Sequence, residues 1–386
     1  MCHSQLMPTA WTNTSCMYDA KWKSNFRRKL LNWFDGHQRD LPWRQHKTPY
    51  RIWISEIMLQ QTQVATVIDY FNRFTKRFPN VATLAQADQA EVLKLWEGLG
   101  YYRRARQMHA AAQVIVENHN GKFPTDFESV LALPGIGRYT AGAILSIALD
   151  QKLPILEGNT IRLFARLMTM QSDPRTTDNQ KALWEFSQSL LPRKRCGDFN
   201  QALMELGSQI CNPKRPKCLV CPINNLCPTA VKGLQEQIPV ASKKVKYEDL
   251  LEAAIVVNQE DRILVRQCGP GERWESLWDF PRYTLDQNTL TQNTSNQNVD
   301  AKSHAQQLSL RLKEETGLAA ELSGPLFQMK HAVTRYRITL QCWKGDEVTG
   351  RLKKTKTPTR WLTLSEIEQM PMSVTGRKIA HKLKSL

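Results

Sequence analysis

The spacing of apolar residues changes once along this chain, and that change limits the possible folds more than any single motif does. From residue 22 to about 228, stretches such as FRRKLLNWFDGH, VATVIDYFNRFTKRF, AEVLKLWEGL, TAGAILSIAL and TIRLFARLMTM repeat near 3.6 residues, the period of a helix with one buried stripe. Leu41-Pro42, Phe78-Pro79, Phe123-Pro124 and Leu133-Pro134 break these runs into short helices. Residues 229–249 lose the period and gain lysines, as a linker does. Beyond them AAIVV, a polar NQED turn and RILVR predict a β-hairpin, YRITLQCW another strand, and LSLRLKEETGL a helix. The expected protein is multidomain: an arm over 1–21, an all-α domain over 22–228, a linker over 229–249 and a small α/β domain over 250–386. The polar stretch QNTLTQNTSNQNVDAKS, residues 287–303, reads as a mobile loop.

Charge narrows the partners. Lys and Arg total 53 against 36 acids, a net +17, which favours a polyanion through counterion release. No apolar run reaches transmembrane length, so no membrane partner is expected. The first thirty residues lack the basic cap and apolar core of a secretory signal. Cys2, Cys16, Cys196, Cys268 and Cys342 are scattered singly, which points to a reducing compartment such as the cytoplasm (nucleoid-associated, if the source is bacterial) rather than to a disulfide framework.

Three patterns carry chemistry. Cys211, Cys218, Cys221 and Cys227 follow C-x6-C-x2-C-x5-C with no histidine among them, which implies a metal site, either zinc or an iron–sulfur cluster. LPGIGRYTAGAI, residues 133–144, places Gly135 and Gly137 in a tight turn at a helix N-terminus, a geometry that suits one phosphate. Glu56, in RIWISEIMLQQTQV, and Glu157, in PILEGNTIRL, are carboxylates in apolar settings. A solvated helix face and a helix N-terminal charge are their ordinary roles. Two carboxylates in one cleft are also the equipment for cleaving a glycosidic bond.

Taken in order, SEIMLQQTQV, EGLGYYRRAR, LPGIGRYTAGAIL, PILEGNTIR and the cysteine loop resemble the MutY-type adenine DNA glycosylases of the helix-hairpin-helix superfamily, which also holds endonuclease III. The likeness runs from about Phe26 to Cys227 and continues more weakly to the C-terminus. It implies a 4Fe-4S cluster on Cys211, Cys218, Cys221 and Cys227. It also implies base excision repair on double-stranded DNA carrying adenine opposite 8-oxoguanine or guanine, by a monomer. Glu56 matches the proton donor and Glu157 the carboxylate beside the cationic sugar, with Asn159 and Tyr139 in support. Arg39, Leu41, Trp43, Arg44 and Glu205 match the pocket for the flipped adenine. Gln61 and Tyr101 match residues wedged into the stack by the opposing base, and the Gly135–Gly137 turn matches the phosphate clamp. Strand-nicking relatives carry a Schiff-base lysine at position 139, and a phenol cannot replace it, so a monofunctional hydrolase is expected.

Two departures stand out. The family usually has aspartate where this chain has Glu157. Where the family often has Phe-Ser-His for sensing oxidised guanine, this chain has Val333-Thr334-Arg335, leaving Thr334 to supply the hydroxyl. The second domain resembles a Nudix fold through WESLWDFP. Its box keeps only Glu314, Glu315 and Gly317, so Mg²⁺ for pyrophosphate cleavage would be poorly held and a binding module is expected. The competing readings are an endonuclease III-like glycosylase/lyase, a Nudix hydrolase and a noncatalytic, cluster-bearing DNA-binding protein.

Overall fold

The computed structural model describes residues 18–240, 246–285 and 297–385. Their contacts separate two units, one from Met1–Gln86 and Gln107–Lys243, the other from Ala87–Arg106 and Lys244–Leu386, each taken over its described residues. Among the described residues no helix is long and apolar enough to cross a membrane.

The first unit is helical: α1 (Ala20–His37), α2 (Pro42–Gln45), α3 (Pro49–Leu59), α4 (Val64–Arg77) and α5 (Val81–Ala85). After α6 (Gln89–Trp96), which groups with the second unit, come α7 (Arg103–Asn118), α8 (Phe127–Leu131), α9 (Arg138–Leu149), α10 (Gly158–Leu167), α11 (Thr177–Leu190), α12 (Cys196–Gln209) and α13 (Pro228–Val231). Helix starts follow capping chemistry. Thr48 accepts from the N–H of Arg51 and Pro49 fills the first turn of α3, where no N–H is needed. Every residue from Ile52 to Met58 is buried, so α3 is a central helix rather than an amphipathic surface one. One core joins Phe26, Leu30 and Phe34 of α1 to Leu163 and Phe164 of α10 and to Phe199, Leu203 and Leu206 of α12. At Gly207 an added Cβ would stand 2.7 Å from the Asn159 Cβ, so glycine lets α12 approach the start of α10.

Several boundaries differ from the sequence reading. Most of the expected arm, residues 1–17, lies outside the described residues. Tyr18 is buried, donates its hydroxyl to the Leu167 carbonyl at 2.6 Å and packs edge-on to Phe186. Within the expected linker, Ile238 is 2% exposed in the helical core, and Arg166 Nε donates to its carbonyl at 2.8 Å. The expected loop lies outside the described residues as far as 296, and from Gln297 the chain is helical.

The second unit holds a mixed seven-stranded sheet flanked by helices. Its strands are β1 (Glu248–Gln259), β2 (Arg262–Gln267), β3 (Trp278–Asp279), β4 (Arg282–Leu285), β5 (Leu318–Val333), β6 (Tyr336–Gly350) and β7 (Thr359–Leu362). The order is β3-β2-β1-β6-β5, with β4 paired to β1 and β7 to β2. β1 and β6 run parallel, while β1–β2 and β5–β6 are antiparallel hairpins. Alternation decides the packing: Leu251, Ala253, Ile255 and Val257 face α14 (Gln297–Thr316) through Leu308 and Leu312. Ala254 and Val256 share the opposite core with Ile367 of α15 (Leu364–Gln369) and Ile379 of α16 (Val374–Leu383). A strand covered on both faces reads as an unbroken apolar run, as AAIVV does.

Candidate active site

Glu56 stands in the middle of α3, only 6% exposed. Tyr139, on the first turn of α9, donates its hydroxyl to Glu56 Oε2 at 2.6 Å and lies 3.3 Å from Met204 Sδ. Burial is the largest influence on Glu56 and raises its pKa. The Tyr139 hydrogen bond opposes it, the Glu157 charge adds to it and Arg44 opposes it, leaving the carboxyl at about 7. Burial and the two neighbouring carboxylates hold the Tyr139 phenol well above its usual value, so it stays a donor.

Glu157 is the N-cap of α10. Its oxygens accept from the N–H of Asn159 at 2.8 Å, the N–H of Thr160 at 3.0 Å and Asn159 Nδ2 at 3.2 Å. Burial raises the Glu157 pKa, while the Asn159 and Thr160 N–H groups and Arg162 pull the other way without cancelling it. Arg162 Nη2 donates to Asn159 Oδ1 at 2.9 Å, which fixes which way the Asn159 amide points.

A second buried glutamate behaves differently. Glu205 of α12 is 2% exposed and receives Arg39 Nε at 2.6 Å and Arg44 Nη2 at 3.0 Å, with Gln209 donating to the same carboxylate. Burial pushes its pKa up, but the Arg39 hydrogen bond and the Arg44 charge more than offset that and leave it below the usual value. Arg44 is held at three points, since its Nε also donates to Gln201 Oε1 at 3.0 Å and its Nη1 to the Arg39 carbonyl at 2.9 Å.

Arg39, Arg44, Glu56, Tyr139, Glu157, Asn159 and Glu205 line one cleft of about 510 Å³, together with Leu41, Trp43 and the exposed Gln61. The volume is that of a small-molecule pocket, and Leu41, Trp43 and Ile52 share its walls with five arginine or glutamate side chains, Arg39, Arg44, Glu56, Glu157 and Glu205. Gln201 and Met204 also line it and were missed in the sequence. With Glu205 and Ser208 they follow i, i+3, i+4 and i+7 on α12, so projecting from Glu205 along a helical face would have found them.

The other expected residues lie elsewhere. Gly135, at φ +77°, forms the turn before α9, and Gly137 is the N-cap of that helix, two residues from Tyr139. Tyr101, at φ +47° and 53% exposed, belongs to the second unit, as does Thr334, exposed at φ +53° in the β5–β6 turn. The Thr334 hydroxyl donates to the Val333 carbonyl at 2.7 Å. Gln61 is left-handed too, at φ +59°. Non-glycine residues take that conformation at a cost, and such positions concentrate at functional sites.

Cys211, Cys218, Cys221 and Cys227 surround a separate cavity. Arg166 Nη1 donates to Cys211 Sγ at 3.1 Å, and the N–H of Ile223 points to Cys221. Burial first, and then the charge of the other cysteines, pushes the Cys221 thiol up to about 12. Among the described residues no three His, Cys, Asp or Glu side chains are grouped to hold a metal ion.

Two family models match the chain. Residues 54–189 match the HhH-GPD superfamily of base excision DNA repair proteins, and residues 252–382 match the NUDIX domain. The adenine DNA glycosylase of Buchnera aphidicola subsp. Acyrthosiphon pisum is 38% identical over 69% of this chain and 76% of its own length. The chain belongs to the adenine DNA glycosylase family. The adenine DNA glycosylases of Rattus norvegicus and Homo sapiens are 47% and 40% identical, over 52% and 67% of this chain. Only 41% of the rat protein and 48% of the human protein are covered, so this chain spans less than half of either. A thermostable thymine-DNA glycosylase structure, 30% identical, superposes with a TM-score of 0.51 over 55% of this chain and 98% of its own.

Proposed function

We propose that this chain removes adenine from duplex DNA, where it stands opposite 8-oxoguanine or guanine, by hydrolysing the N-glycosidic bond. The observation that carries the reading is Glu56: a buried carboxyl at about 7, oriented by Tyr139, in one cleft with a second carboxylate, Glu157. Near neutral pH such a group is an acid poised to give its proton to a ring nitrogen of the base. Protonation makes adenine a leaving group, the C1′–N9 bond breaks with its electrons going to the base, and the sugar is left cationic. Glu157, braced by three N–H donors, is the negative charge placed for that cation. Water then adds at C1′ and releases a proton.

Arg39, Arg44 and Glu205 form a fixed array of donors and acceptors beside Trp43 and Leu41, suited to hold a planar base by edge and face. The cleft lining contains no lysine among the described residues, and the group at position 139 is a phenol. Removal by water, without strand cleavage by an amine, follows from that. In the second unit, the exposed Thr334 at a hairpin tip is the group assigned to the opposite base, and residues 250–386 act as a binding module.

The four cysteines suit a 4Fe-4S cluster. Four half-buried sulfurs around one cavity would repel one another as thiolates without a cation between them, and Arg166 and the Ile223 N–H donate to Cys211 and Cys221. When bound, the cluster would tie the loop 211–227 to α10 through Cys211 and Arg166.

The test is direct. Duplexes with adenine opposite 8-oxoguanine, guanine or thymine are incubated with the protein, and strands are resolved with and without alkali. Alkali-dependent breaks at adenine opposite 8-oxoguanine and guanine are expected. Breaks formed equally without alkali would identify a lyase, and none with any duplex would end the reading.

A further inference from the structure

Tyr101, read above as a residue that wedges into the stack, sits on a short loop after α6. Gly98 and Gly100, at φ +102° and +71°, take the left-handed backbone without penalty, whereas Tyr101, at φ +47°, takes it at a cost. Trp96 Nε1 donates to the Gly100 carbonyl at 3.0 Å, and the Tyr102 hydroxyl accepts from the Gly98 N–H at 3.2 Å. The Tyr101 ring is nevertheless half exposed. A stiff loop presenting an open aromatic ring works as a probe only if its base is held.

Both ends of the loop are held within the second unit by residues far along the chain. On the N-terminal side, Glu97 takes a two-point fork from Arg377 of α16, Nε to Oε1 at 2.6 Å and Nη2 to Oε2 at 3.0 Å. The two side chains are only 14% and 15% exposed, and Arg377 also donates to the Ile367 and Met370 carbonyls at 3.1 and 2.6 Å. The planar guanidinium is thus fixed at several points, which a lysine could not reproduce. On the C-terminal side, Arg106 Nη1 donates to the Glu275 carbonyl at 2.6 Å, and its Nη2 lies 3.3 Å from the Glu275 carboxylate.

We propose that Arg377 and Glu97, with Arg106 and Glu275, are positioning residues that aim Tyr101, so that the C-terminal residues act on the wedge as well as on the opposite base. The proposal rests on the reading of Tyr101 as a DNA-contacting residue. It predicts that α16, through Arg377, governs how the protein grips a mispair.

The experiment compares the full-length native protein, Tyr101→Ala, Arg377→Glu and the Tyr101→Ala/Arg377→Glu double variant. Each is measured for the protein concentration giving half-maximal single-turnover rate on a duplex with adenine opposite 8-oxoguanine, and for the rate at saturation. Arg377→Glu is expected to raise the half-saturating concentration roughly tenfold, as Tyr101→Ala does, with the saturated rate within about twofold of native. Because Arg377 acts through Tyr101, the double variant should be no worse than Tyr101→Ala alone. Arg377→Lys, which keeps the charge but cannot form the fork or reach both carbonyls, should lie between the native protein and Arg377→Glu. An Arg377→Glu effect that persists at full size without the Tyr101 ring means a general structural role and overturns the proposal. So does native behaviour of Arg377→Glu beside an impaired Tyr101→Ala. Native behaviour of Tyr101→Ala itself would instead remove the reading beneath it. If Arg377→Glu does not fold, Glu97→Gln takes its place in the same cycle.

Discussion

Glu56 has to be neutral at the moment it gives up its proton, and its surroundings set the pH at which that holds. Burial and the Glu157 charge lift it to about 7 against Tyr139 and Arg44. The single-turnover rate should therefore be flat in mild acid and fall through about 7, approaching roughly tenfold per pH unit above it. Glu56→Gln should lose activity at every pH while binding DNA, because an amide has no proton of the right acidity to give. A native rate that stays flat to pH 9 would remove Glu56 as the donor. The sign carries over to stability. A carboxyl whose folded pKa lies above its unfolded value binds its proton more tightly when folded, so its contribution is lost as pH rises from the ordinary carboxylate range through about 7.

The turn before α9 is where an element, rather than a side chain, is specified. Gly135 lies at φ +77°, and a Cβ there would stand 2.7 Å from the Gln107 Cβ, whereas a Cβ on Gly137 meets nothing within 4 Å. Gly135→Ala should cost about 1–2 kcal/mol from the left-handed backbone alone, with the clash in addition. Gly137→Ala, at an N-cap where alanine is poorer than glycine but with open space for its Cβ, should cost less, about 0.5–1 kcal/mol. Urea unfolding of the two variants checks this, and equal losses would mean that the turn is not held as described. Weakened DNA binding confined to Gly135→Ala would add that the turn serves the phosphate backbone as well as the fold.

At the scale of the molecule, the end of the helical unit matters for any dissection. The apolar spacing stops near residue 228, yet Ile238 is buried among α1, α10 and α11 residues, and Leu234 packs against the same core. A fragment ending at Val240 should be more stable than one ending at Ala230 by at least roughly 2 kcal/mol, the cost of losing one large buried aliphatic side chain. Matching unfolding midpoints for the two would show that residues 231–240 add nothing. Both fragments should discriminate less than the full chain between 8-oxoguanine and guanine opposite adenine, since each lacks Thr334 and the partners of Glu97.

The α-to-α/β switch, the cysteine spacing and the order of the family's motifs were legible because each is local: a 3.6 or a 2-residue period records which side of an element is covered. That information cannot say which acid gives a proton. Glu56 and Glu205 are both glutamates within apolar helical stretches; the sequence offered Glu56 as one possible acid and gave Glu205 a role only through resemblance. The folded chain separates them. Glu205 meets Arg39 and Arg44, 166 and 161 residues away, and is held as an anion, whereas Glu56 meets a phenol and another carboxylate and is driven toward neutrality. The same limit hid the allegiance of residues 87–106. Their helical spacing matches their neighbours, but the fork from Arg377 to Glu97 spans 280 residues and joins them to the C-terminal helix α16. Local pattern determines which elements form; the electrostatics of long-range neighbours, which exist only once the chain has closed on itself, decided what each buried charge is for.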